Sequence, residues 1–137
     1  VPVLLALVDA YATRVDEVST FSKLGYGRKI KATLEAAVAA APRDPRALYG
    51  LYAYHVQAPA IAGGSADEAE RLRRELAAVD AGGGHRAAAL RHSRDGDREA
   101  AARALRAAIA ASPGDPALRM DLILNAQGRK AWDEAHA

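Results

Sequence analysis

Apolar-rich stretches along the chain are separated by short breaks of proline and glycine. The breaks fall at Pro42, Pro45, Pro59, Gly63-Gly64, Gly82-Gly83-Gly84, Gly96, Pro113-Gly114, Pro116 and Gly128. They leave segments of roughly ten to twenty residues, which are helix lengths. Large apolar residues stand one helical turn apart at Leu34 and Val38 and again at Leu72 and Leu76. Around the second pair, Glu70 precedes Arg73 and Arg74 by three and four residues, the spacing of a solvated, self-paired helix face. The pattern predicts helices over Val3–Ser19, Arg28–Ala41, Pro45–Gln57, Ala66–Val79, His85–Arg94, Asp97–Ala111 and Pro116–Ala126, with a short stub from Lys130. Short loops between them make an array of antiparallel hairpins.

The helix starts carry their own chemistry. Asp44-Pro45 and Asp115-Pro116 each place a capping carboxylate before a proline at the first helical position, where a missing N–H costs nothing. Ser65-Ala66-Asp67-Glu68 fits a capping box, in which the hydroxyl accepts from the Glu68 amide and the Glu68 carboxylate reaches back to the Ser65 amide. Gly96 followed by Asp97 reads as a helix-closing glycine and the cap of the next helix. Gly82-Gly83-Gly84 lacks the Lys-Ser/Thr of a phosphate loop and reads as a flexible linker.

One segment recurs. Ile30 to Pro45 (IKATLEAAVAAAPRDP) and Ala101 to Pro116 (AARALRAAIAASPGDP) align without gaps over sixteen positions with eight identities. Alanine richness inflates that count, but the shared Pro-x-Asp-Pro does not come from composition. A divergent copy around Leu72 and Leu76 divides the interval into about 38 and 33 residues, the period of a two-helix repeat.

Composition narrows the fold class. The 137 residues are one domain's worth, and thirty-five of them are Ala against twelve Val and Ile. Ala is the best helix former and a poor strand former, so the expectation is all-α. Nineteen basic and seventeen acidic residues leave a formal charge of +2, too weak a field to point to nucleic acid. With no Cys, disulfides, Cys-ligated zinc, iron–sulfur clusters and thiol catalysis are excluded. No run approaches the ~20 apolar residues of a membrane span. The opening Val1-Pro2, without Met, suggests that an upstream stretch has been removed.

The run Gly96-Asp97-Arg98-Glu99-Ala100-Ala101, followed by Leu105, Ala108 and Pro113, resembles the second half of a tetratricopeptide repeat. The resemblance extends over about Arg28 to Ala137. Leu48, His85 and Arg119 stand where that repeat's first helix carries a large aromatic. The segment Leu51-Tyr52-Ala53-Tyr54-His55-Val56-Gln57-Ala58-Pro59, then Ala62-Gly63-Gly64-Ser65, is similar to a bacterial subgroup of such repeat proteins, many of them exported and some resembling the T component associated with extracytoplasmic solute (TRAP) transporters. The resemblance implies a right-handed superhelix of stacked hairpins in one domain, with repeats 1–44, 45–81, 82–115 and a partial 116–137. It further implies a non-enzymatic binding module in a periplasmic or otherwise extracytoplasmic location.

In such an array the first helix of every pair lines a concave face. Mapping the repeat onto this chain nominates Arg46, Tyr49 and Gln57, then Arg86, Leu90 and Arg94, then Met120, Leu124 and Gln127 as partner-binding residues. The carboxylate clamp of chaperone-binding members is not reproduced, because Arg86 stands in place of a lysine and Leu90 and Leu124 in place of asparagines. Tyr52 is expected in the core, with Tyr49 facing a ligand.

Candidate catalytic and metal-binding residues are sparse. His85 and His92 are seven apart, about 10 Å along a helix axis, too far to share an ion readily. His55 reads as an inter-helix hydrogen-bonding group, and Asp95-Gly96-Asp97 lacks the remaining ligands of a calcium loop. No catalytic residue, metal or cofactor is therefore expected. The leading function is a scaffold for a protein or peptide partner. The alternative is a small-molecule or lipophilic-ligand binding accessory of an extracytoplasmic transport system, and a second copy of the chain is a further candidate partner.

Overall fold

The computed structural model of the chain describes residues 3–8 and 20–135, and every regular element among them is helical. These are α1 (3–8), α2 (Thr20–Ala40), α3 (Pro45–Gln57), α4 (Ala66–Val79), α5 (Ala81–Arg94), α6 (Arg98–Ala111) and α7 (Pro116–Ala135), with a 3₁₀ turn at Ala60–Ala62. The expected all-α class is thus met. Of the helix predicted over Val3–Ser19, residues 3–8 are helical and residues 9–19 lie outside the described residues.

The chain divides into two compact units, residues 1–79 and 80–137. The sequence reading treats the whole as one repeat domain, and the division falls beside its boundary between the second and third repeats. In the first unit α2 packs on α3 and α3 on α4. Leu34 and Ala37 of α2, Leu48, Leu51, Tyr52 and Val56 of α3, and Ala69, Leu72 and Leu76 of α4 are buried together. The opposite face of α4 is charged, with Arg71 paired to Glu68 and Glu75 and Arg73 to Glu70.

In the second unit α5 packs on α6 and α6 on α7. Its core consists mainly of methyl groups from Ala87, Ala89, Ala100, Ala101, Ala102 and Ala108, with Leu105 and Leu118 as the large side chains. Side chains this small gain dispersion energy only when the helix backbones approach closely.

The sequence repeat reappears in the backbone, bond for bond. The Ala41 amide donates to Ala37 and the Ser112 amide to Ala108; the Asp44 amide donates to Ala41 and the Asp115 amide to Ser112. The Asp44 carboxylate then caps the Arg46 amide at 2.9 Å, and the Asp115 carboxylate caps the Ala117 amide at 2.9 Å. Gly96 closes α5 at φ 84°, with its own amide donating to Ser93 and the Asp97 amide to His92, the paired bonds of a Schellman cap. Asp97 caps α6 through the Ala100 amide at 2.9 Å.

Four local expectations need correction. Gly82-Gly83-Gly84 is not a linker but the first turn of α5, because tertiary packing overrides the poor propensity of glycine. Gly82 is buried so close to α6 that a Cβ there would lie 2.4 Å from Ser112 Oγ. Gly128 does not interrupt α7, which runs unbroken to Ala135, and the Arg98 guanidinium lies across the Gly128 backbone. α2 begins at Thr20 rather than Arg28, with Gly25 and Gly27 inside it. The capping box is only half formed. Ser65 Oγ accepts the Glu68 amide at 3.2 Å, but the Glu68 carboxylate is taken by Arg71 and the Ser65 amide by His55.

Candidate functional site

The cap at Asp115 sets the rotation of α7, turning Leu118 inward at 1% exposure and leaving the other side of the helix outside. Met120, Ile123 and Leu124 form that outer side and are 53%, 51% and 56% exposed. Asp121 faces α5, where its Oδ2 accepts from Arg86 Nε at 2.7 Å, both side chains being about 30% exposed. Leu124 lies about 60° around the helix from Asp121, so the ion pair borders the apolar strip.

Arg86, Leu90 and Arg94 are spaced one turn apart along α5; Arg86 and Leu90 are half-buried and Arg94 is exposed at the helix end. The structure therefore brings Arg86 to α7, the helix that bears Met120, Leu124 and the exposed Gln127. Asp121 and Ile123 were not nominated from the sequence. The available signal was the run Met120-Asp121-Leu122-Ile123-Leu124, which holds more large apolar residues than one helix face can bury. One turn beyond Asp121, Asn125 carries a buried side-chain oxygen with no hydrogen-bond partner.

The three residues nominated in the first unit are less gathered. Arg46 folds back on its own cap, with its guanidinium 3.2 Å from Asp44 Oδ2, and this pairing holds the Asp44 carboxyl below its ordinary value. Tyr49 is half-buried with its ring 6.3 Å from that of Tyr52, which is buried as expected. Gln57 is exposed at the far end of α3.

The tyrosine-rich helix holds the segment that follows it. Tyr54 Oη donates to the Ala62 carbonyl, and His55 Nδ1 accepts the Ser65 amide at 3.1 Å. His55 is 6% exposed; burial, then the nearby Lys31 charge, pulls its imidazole below the ordinary value. Burial raises the Tyr54 phenol. The expected inter-helix role of His55 is thus a bond to the backbone ahead of α4.

At the α5–α6 turn, Asp97, Arg98 and Glu99 face Arg129 and Asp133 of α7 across an open cleft of about 430 Å³. Glu99 and Arg129 are ion-paired across it. Among the described residues no three His, Asp or Glu side chains gather as a metal site, and no helix is long and apolar enough to cross a membrane. Neither protein-family models, nor curated proteins, nor solved structures contain a match to this chain.

Proposed function

We propose that the chain is a non-enzymatic, tetratricopeptide-repeat-like module that binds a protein or peptide segment along the first helices of its hairpins. The observation carrying this reading is the strip of Met120, Ile123 and Leu124 on α7, each more than half exposed, bordered by the Arg86–Asp121 pair. Large apolar side chains clustered at the surface and rimmed by charge are what a partner segment can desolvate and orient. The same resemblance supports a periplasmic or otherwise extracytoplasmic location, which fractionation of producing cells against compartment markers tests.

Peptides selected from a displayed library against the full chain, then measured by calorimetry, test the binding site. A folded Met120→Ser, Leu124→Ser variant is expected to bind the selected peptide at least about tenfold more weakly, since central apolar anchors dominate such interfaces. Unchanged affinity moves the site off α7. A lipid that co-purifies and is seen by native mass spectrometry, with no peptide selected, supports the lipophilic-ligand alternative instead.

A further inference from the structure

Tyr54 and His55, adjacent at the end of α3, hold the segment from Ala58 to Ser65 at two points. The Ser65 amide can only donate, so the ring nitrogen facing it at 3.1 Å is unprotonated and the neutral ring carries its proton on Nε2. Ser65 is also the residue whose hydroxyl accepts the Glu68 amide in the first turn of α4. One imidazole lone pair therefore ties the start of α4 to the end of α3.

The segment is tightly closed. Gly63 sits at φ 91°, the Gly64 amide donates to Pro59, and a Cβ on Gly64 would lie 2.0 Å from the Ala58 carbonyl oxygen. The charged groups facing His55 are Lys31 and Glu35 from α2 and Glu68 and Arg71 from α4. Each carboxylate is accompanied by a cation, Lys31 with Glu35 at 3.8 Å and Arg71 with Glu68 at 2.7 Å, and burial together with the Lys31 charge outweighs the pull of Glu68 and Glu35 toward the protonated ring.

We propose that residues 58–65 form an acid-released latch: protonation of His55 at Nδ1 sets a donor against the Ser65 amide, and the Ser65 end of the segment detaches from α3 together with the start of α4. Rotating the ring gives no relief, because an imidazolium bears a donor on both nitrogens. Tyr54 keeps its hold on Ala62, which makes Ser65 the end that opens. This inference is independent of the binding site on α7.

Amide hydrogen exchange by NMR on the full chain, followed from about pH 8 to about pH 5 alongside the His55 ring resonances, tests it. Corrected for intrinsic exchange, Ser65 protection is expected to fall about tenfold or more with the midpoint of the His55 titration. Protection at Ser112, in the α6–α7 turn of the second unit, where the amide donates to the Ala108 carbonyl, should stay constant. Constant Ser65 protection through the His55 midpoint overturns the latch, as does a ring that stays neutral throughout or a loss shared by Ser112. His55→Asn places an acceptor that does not titrate near the Nδ1 position and should make Ser65 protection independent of pH; a persisting pH dependence in this variant also overturns the proposal. Should the variant not fold, the wild-type comparison of Ser65 with Ser112 decides.

Discussion

Arg86 Nε and Asp121 Oδ2 lie 2.7 Å apart although thirty-five residues separate them in the chain. They connect the first helix of one hairpin to the first helix of the next, across a core built mostly of alanine. A half-exposed pair gains modestly, so a double-mutant cycle with Arg86→Ala and Asp121→Ala should give a coupling of about 0.5–1 kcal/mol in urea unfolding. The coupling should shrink as salt is added. A coupling of zero at low salt would mean that the pair does not help hold α5 to α7.

Leu105, 4% exposed, is one of the large side chains in the core of the second unit. Leu105→Ala should cost about 2–4 kcal/mol by chemical denaturation, through lost burial and an unfilled cavity. Arg73→Ala removes only an exposed pair with Glu70 and should cost about 0.5 kcal/mol or less. Equal effects would contradict this packing.

Gly82 gives a prediction opposite to helix propensity. Alanine is favoured over glycine in a helix by about 1 kcal/mol, yet a Cβ at Gly82 would lie 2.4 Å from Ser112 Oγ and 3.0 Å from its Cβ. Gly82→Ala should therefore destabilise the protein by about 1 kcal/mol net. Adding Ser112→Gly should recover most of that loss, and thermal unfolding of the three variants measures both steps.

His55 makes stability depend on pH. Its imidazole is held below the ordinary value of 6.5, so the unfolded chain binds the proton more readily than the folded one. The contribution of neutral His55 is present above pH 6.5 and is lost as pH falls through the lower folded value. Urea unfolding across this range should show wild-type stability falling more steeply than that of His55→Asn. Parallel curves would show that the native fold holds the charged ring as readily as the neutral one.

Asn125 carries a buried side-chain oxygen without a partner, an arrangement that costs about 1–3 kcal/mol in desolvation. Asn125→Leu should leave stability unchanged or raise it by about 1 kcal/mol, as read by the urea midpoint. A clear loss would show that the amide makes an interaction worth more than its burial costs.

The sequence alone determined the helical class, most helix boundaries and the repeated turn, because these depend on neighbours. Asp44 and Asp115 each cap an amide two residues on, and Gly96 closes α5 through residues at most five positions apart. The surface chemistry of α4 was legible for the same reason. Only the tertiary structure decided what depends on residues distant in sequence. Gly82-Gly83-Gly84 joined α5 because Ser112, far along the chain, leaves no room for a side chain at Gly82. The Ser65 amide went to His55 rather than to Glu68 because α3 and α4 pack side by side, and Arg71 had already engaged the carboxylate. On α7, periodicity supplied the apolar residues, but packing against α6 chose which of them face inward: Leu118 is buried, and Met120, Ile123 and Leu124 are left to the surface. The repeat mapping could nominate Arg86, yet not its partner, because an ion pair between helices is set by the distance between their axes, a quantity that no local pattern encodes.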